Sequence, residues 1–187
     1  MPKSRLFLAL VPDSNIVDLL TSAQTALKDV LSNYTIRWAN PLKFHMTMRF
    51  LGDVEDENIN SLIDVLDRIK FDFEELKFRT FEIGFFPNRR YPNVVYAGFE
   101  EHGAVSVSLI NSVDSIMKNF GIMPDKKFVP HITLGRFDRS KRRKLGTIVT
   151  PDLPPAEVIF ESFSLMKSTL QQGGSEYTEL YKFNFLK

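Results

Sequence analysis

The chain has three histidines, His45, His102 and His131, and two of them open the same tetrapeptide pattern. His45-Met46-Thr47-Met48 and His131-Ile132-Thr133-Leu134 both read His-apolar-Thr-apolar, once in each half of the chain. On a β-strand, residues i and i+2 point to one face. Each motif therefore presents an imidazole beside a hydroxyl, while Met46, Met48, Ile132 and Leu134 anchor the strand beneath. Two such strands facing one another place two imidazoles across a cleft. Phosphodiester hydrolysis needs this set: a base for the incoming oxygen and an acid for the departing one. Imidazoles titrate near pH 6.5, so two can share these roles near neutrality. The Thr47 and Thr133 hydroxyls can donate to the non-bridging phosphate oxygens. This logic calls for no metal and no cofactor.

Ten Thr in 187 residues make the pairing uncommon by chance. At least two of three His would carry Thr at +2 in roughly one sequence of this composition in a hundred. A lone His is more often structural, and His102, in Glu100-Glu101-His102-Gly103, reads that way. Thr is also a common strand residue. A histidine metal site is the competing chemistry, but no His-x-x-x-His or dense carboxylate cluster accompanies the pair.

The elements that must position these residues follow from periodicity. Residues 5–11 read as a first strand, 15–31 as an amphipathic helix and 36–39 as a short strand. Residues 43–51 alternate strictly, with Phe44, Met46, Met48 and Phe50 on one side and His45, Thr47 and Arg49 on the other; Gly52-Asp53 ends the strand. A second helix spans 56–70, strands cover 74–86 and 94–99, and a third helix covers 105–120 with Gly121 beyond its end. Residues 128–137 are again extended, 139–146 form a short basic helix or loop, and 151–155 are a linker. Strands at 158–167 and 176–185 close the chain, with a hairpin turn at 171–175. The order predicts an α+β fold with mostly antiparallel sheets. No glycine-rich nucleotide-binding loop occurs.

Composition sets outer limits. Hydrophobic residues at 43% and charged residues at 25% fit an ordinary globular protein, and 17 Phe can fill a core. A formal charge of +1 excludes a bulk polycationic nucleic-acid binder, so phosphate recognition must be local. The lack of Cys removes disulfides, thiolate zinc sites and cysteine nucleophiles. The apolar stretch at 6–11 is short for a secretory signal, and no run is long enough to span a membrane, so a cytoplasmic location is expected.

At the two motifs the chain resembles the two-histidine (2H) phosphoesterase superfamily, specifically the LigT-like (ThpR) RNA 2′,3′-cyclic phosphodiesterases. Similar elements extend over essentially the whole chain: Arg5-Leu6-Phe7-Leu8-Ala9-Leu10, Trp38, Phe50-Leu51-Gly52, Gly84-Phe85-Phe86-Pro87, the run Phe128 to Arg136, and Ser168, Gly173, Gly174 and Tyr177. The resemblance implies one domain over residues 1–187. Two pseudo-symmetric lobes would carry antiparallel sheets flanking a central cleft, with helices outside. It implies hydrolysis of RNA or nucleoside 2′,3′-cyclic phosphates to 2′-phosphates. Some members also join RNA ends through a reversible 2′–5′ linkage. Carried over, His45 is the general acid, His131 the general base, and Thr47 and Thr133 hold the phosphate. Arg136 also matches a phosphate-contacting position, although alternation puts it on the face opposite His131. Tyr96 stands where relatives often have Trp, a difference expected to affect packing more than chemistry.

The alternative is a nucleotide-binding module of the same fold without turnover. The expected partners are RNA ends or small nucleotides bearing a cyclic phosphate, with no membrane, and the chain is expected to be a monomer. Arg139, Lys141, Arg142, Arg143 and Lys144, and likewise Arg89-Arg90, read either as a solvated face or as a surface for an RNA backbone. Trp38, Tyr91 or a Phe could stack on a base, with core packing as the ordinary reading.

Overall fold

Apolar side chains concentrated in 6–10 form a strand buried on both faces, and the chain is built around it. The computed structural model describes residues 1–69, 71, 73–123, 127–141, 144–172 and 174–185. Its elements run β1 (Lys3–Leu10), α1 (Ser14–Val30), β2 (Ile36–Trp38), β3 (Met46–Glu55), α2 (Ile59–Asp67), β4 (Leu76–Phe86), β5 (Val94–Glu101), α3 (Val105–Asn119), β6 (His131–Phe137), β7 (Glu157–Phe160), β8 (Ser162–Gln171) and β9 (Gly174–Asn184). One sheet has the order β3-β1-β8-β9 and the other β2-β6-β5-β4-β7. All recorded strand pairs are antiparallel. This is the α+β, two-sheet arrangement that the sequence predicts. No helix among the described residues is long and apolar enough to cross a membrane.

Local chemistry explains the boundaries. Asp13 starts α1 by accepting the Ile16 N–H at 2.9 Å, satisfying a donor that the first helical turn leaves open. Ile16, Leu20, Ala23 and Leu27 then face inward at helical spacing. Gly121, at φ 71°, ends α3, and the Ile122 N–H returns to the Met117 carbonyl at 3.0 Å. Leucines and phenylalanines from both sheets and all three helices join in one apolar core.

Several boundaries differ from those read from sequence. Residues 158–167 are two strands: β7 belongs to one sheet and β8 to the other, with the break at Glu161. The inward residues change phase there, from Val158 and Phe160 to Phe163 and Leu165, because the chain is changing sheets. The strand predicted to end at Gly52-Asp53 continues to Glu55, since Gly52 at φ 74° absorbs an irregularity opposite β1. Residues 41–43 form a 3-10 turn before β3, and the predicted second helix opens as a 3-10 turn before α2. Its predicted last residue, Lys70, lies outside the described residues. In the basic 139–146 segment, Arg139–Lys141 is a 3-10 turn, whereas Arg142 and Arg143 lie outside the described residues, as does Gly173.

The departure with most consequence occurs twice. In the β1–β3 pair, Leu8 opposes Arg49 and Ala9 opposes Thr47, so Met48 is an extra residue. In β5–β6, Val95 opposes Gly135 and Tyr96 opposes Thr133, so Leu134 is extra. Each motif strand thus bulges at the fourth residue of its tetrapeptide, and alternation beyond that point changes phase. The second bulge is tightly held. The Leu134 carbonyl accepts both the Ala39 N–H at 2.9 Å and the buried Gln24 Nε2–H at 3.0 Å. Gly135 lies under β2, where an added Cβ would come within 2.8 Å of Ile36 Cγ2 and 2.9 Å of Trp38 Cε3. Gly135→Ala is therefore expected to lower stability by about 1–3 kcal/mol through overpacking. The urea midpoint checks this, and an unchanged midpoint would show that β2 can yield.

Candidate active site

The two imidazoles are held in the same way. His45, at the entry to β3, is bonded through Nδ1 to the Lys43 carbonyl at 2.7 Å. His131, at the start of β6, is bonded through Nδ1 to the Val129 carbonyl at 2.7 Å. A carbonyl only accepts, so Nδ1 carries the proton in each ring and Nε2 is the nitrogen left for proton transfer.

A Phe and a Tyr flank each ring. His45 lies 5.1 Å from the Phe7 ring and 4.9 Å from Tyr177. His131 lies 5.0 Å from Phe86 and 5.3 Å from Tyr96. The Phe86 and Tyr96 rings are stacked at 4.1 Å. Gly84 makes this possible: a Cβ there would fall 2.3 Å from Tyr96 Cζ, so the Tyr96 ring lies across the Gly84 backbone. Tyr96 thus packs across the Gly84 backbone and also forms part of the wall around His131. These four aromatics were not singled out as neighbours of the imidazoles from sequence. Their positions relative to a histidine depend on sheet pairing, which no short-range spacing reports.

Burial pushes both imidazoles below their ordinary value; the backbone hydrogen bond opposes this in each case. The Arg136 guanidinium lowers both further, and His131 adds its own charge at His45. The motif histidines are thus close enough to couple electrostatically, with Arg136 in reach of each. Thr47 and Thr133, two residues beyond their histidines, are half-buried and alternate with buried Met46, Met48, Ile132 and Leu134.

Arg136 requires a correction. Regular alternation assigns it to the face opposite His131, but the extra residue at Leu134 returns it to the imidazole side. Leu134 and Gly135 are consecutively buried, and Arg136 is exposed. The first motif shows the same reversal. Arg49, predicted to share a face with His45, is only 6% exposed and pairs with Asp114 of α3 at 2.7 Å. Phe50, predicted to lie among the core residues, is 55% exposed. Phe50 and Arg136 thus occupy equivalent places after the two bulges.

The other residues raised by the sequence divide as follows. Trp38 packs over Gly135 against the core. Tyr91 is exposed with the Arg90 guanidinium over its ring. The basic segment is tied to that loop by the Leu145 N–H on the Arg90 carbonyl. His102 donates its backbone N–H to the Lys77 carbonyl. Among the described residues, no group of three His, Cys, Asp or Glu side chains is placed to hold a metal ion. An NMR pH titration should place both imidazole midpoints below the ordinary 6.5 of the free side chain. Arg136→Gln should raise both, since a nearby cation disfavours imidazolium; unmoved midpoints would place Arg136 away from the rings.

Comparison with known proteins agrees with this architecture. The family model described as LigT like phosphoesterase matches residues 10–96 and 104–177. A protein of Archaeoglobus fulgidus named RNA 2′,3′-cyclic phosphodiesterase is 30% identical over 181 residues, covering 96% of this chain and 99% of that protein. A crystal structure from Thermus thermophilus superposes with a TM-score of 0.76 at 28% identity, covering 97% of each chain. The E. coli LigT structure complexed with 3′-AMP shares the fold, with a TM-score of 0.79 at 22% identity over 99% of each chain. With the fold and the family match in agreement along most of its length, the chain belongs to the LigT-like phosphoesterase family.

Proposed function

We propose that the protein hydrolyses RNA-terminal or nucleoside 2′,3′-cyclic phosphates to 2′-phosphates by two-histidine acid–base catalysis. The observation that carries this reading is the matched pair of imidazoles, each with Nδ1 committed to a carbonyl and both coupled to Arg136. The activity named for the relatives, including one 30% identical over most of both chains, supports the substrate class. The two sheets act as pseudo-symmetric halves of one domain. Each supplies one motif with its bulge, one imidazole–carbonyl bond and one Phe–Tyr wall.

In the reaction, His131 Nε2 takes a proton from water as the water oxygen bonds to phosphorus. The bond from phosphorus to O3′ breaks, and His45, protonated at Nε2, gives its proton to the departing O3′. The product carries a 2′-phosphate and a free 3′-hydroxyl. Thr47 and Thr133 donate to the non-bridging oxygens, and Arg136 offsets their charge. With a 5′-hydroxyl in place of water, the same bond changes form a 2′–5′ linkage, and reversal regenerates the cyclic ester.

Burial leaves both rings mainly neutral in the free protein at pH 7, yet one must be protonated. The anionic substrate supplies the missing stabilisation, because negative charge nearby favours imidazolium. The kcat/KM profile, which reports the free enzyme, is therefore expected to be bell-shaped with its maximum below about pH 6.5. The kcat profile should lie at higher pH than the kcat/KM profile; coincident profiles would remove the role given to substrate charge.

His45→Ala and His131→Ala should each lower kcat by about 10²–10⁴-fold in excess EDTA, with unchanged circular dichroism. Full activity in either variant would overturn the assignment, and formation of a 3′-phosphate would reverse the bond that breaks.

A further inference from the structure

Directly opposite Arg136 in the β2–β6 pair stands a second arginine, Arg37. Residues opposite one another in an antiparallel pair project to the same face, and like charges there are destabilising. Both side chains are exposed. Among the described residues, neither guanidinium has a carboxylate partner. Ile36 and Trp38, the neighbours of Arg37, turn the other way and cover Gly135. Arg37 is thereby committed to the face that carries Arg136. It also meets the other sheet: a Cβ on Gly174, in the β8–β9 hairpin, would lie 4.0 Å from Arg37 Nη1. The nearest acid along that hairpin, Glu176, is already engaged by Lys43. An unneutralised arginine pair at the meeting of two sheets is stabilised when an anion enters.

The reacting cyclic diester carries one negative charge, which Arg136 matches. Arg37 is on edge strand β2, one inter-strand spacing of about 4.8 Å further out. We propose that Arg37 binds the internucleotide phosphate next to the reacting terminus, so that the preferred substrate is an oligoribonucleotide rather than a cyclic mononucleotide. This rests on the function proposed above and adds a second phosphate subsite to it. A guanidinium fork suits phosphate oxygens because it presents paired donors in a fixed plane.

The test compares wild type, Arg37→Gln and Arg37→Lys on 2′,3′-cyclic AMP and on a short oligoribonucleotide ending in a 2′,3′-cyclic phosphate. In Arg37→Gln, the ratio of kcat/KM for the oligonucleotide over the mononucleotide is expected to fall about tenfold, mainly through KM. Arg37→Lys should recover part of this ratio. The log–log dependence of oligonucleotide affinity on salt should lose about 0.7 from its slope in Arg37→Gln. A ratio unchanged from wild type overturns the proposal, including when both substrates suffer equally. The Arg37→Gln melting temperature should be at or above that of wild type, because a like-charge contact is removed. A drop of several degrees would make Arg37 a structural residue and overturn the proposal too. Equilibrium binding of a 2′-phosphorylated oligonucleotide against 2′-AMP reads the same ratio without turnover. Failure of wild type to hydrolyse either cyclic phosphate therefore counts against the proposed function alone.

Discussion

A regular β-strand sends successive side chains to opposite faces, and an extra residue closing each motif tetrapeptide changes the surfaces that this rule produces. Without the bulges at Met48 and Leu134, the Arg136 guanidinium would enter the core and the Arg49 guanidinium would face the imidazoles. The histidine and threonine precede each bulge and keep ordinary alternation. The residues after it are reassigned. At one strand an arginine is turned inward to a carboxylate on α3 and a phenylalanine outward. At the other a glycine is turned inward beneath β2 and an arginine outward. The same backbone irregularity thus yields an apolar side chain on one half and a cation on the other.

The imidazole surroundings resolve two opposed demands. Aromatic walls shield the rings and disfavour their charge, yet the proposed proton transfer needs one ring charged when the ester breaks. The backbone bond at Nδ1 works against burial by stabilising the protonated ring, and it orients Nε2 without an acidic partner. A carboxylate in that place would hold a ring protonated irrespective of substrate. A neutral carbonyl leaves the ring's protonation open to any charge brought near it.

The sequence made the strongest local regularities legible. His45 with Thr47 and His131 with Thr133 could be placed on shared faces because those residues lie before the bulges, where period 2 still holds. The order of strands and helices was legible from apolar periodicity. Arg49, Phe50 and Arg136 were placed on the wrong faces because alternation was extended through an insertion that has no unique residue signature. A charged Arg49 next to an apolar run and the small Gly135 are consistent with bulges, but neither specifies one. The break at Glu161 did leave a trace in the phase slip between Phe160 and Phe163. Phe7, Phe86, Tyr96 and Tyr177 all lie within the family resemblance, but which of the 17 Phe and 5 Tyr meet a histidine is set by long-range pairing alone.

The sheet order also constrains how the polypeptide is made. Strand β1, which precedes every other strand along the chain, is sandwiched between β3 and β8. Its second edge stays open until Ser162–Gln171 has been synthesised, and β8 is in turn covered by β9. Domains made from such distant partners close late and expose unpaired strand edges while they wait. Translation must therefore pass Tyr177 before the wall formed by Phe7 and Tyr177 can assemble around His45. A nascent chain halted before that hairpin carries the first motif but lacks half of its enclosure.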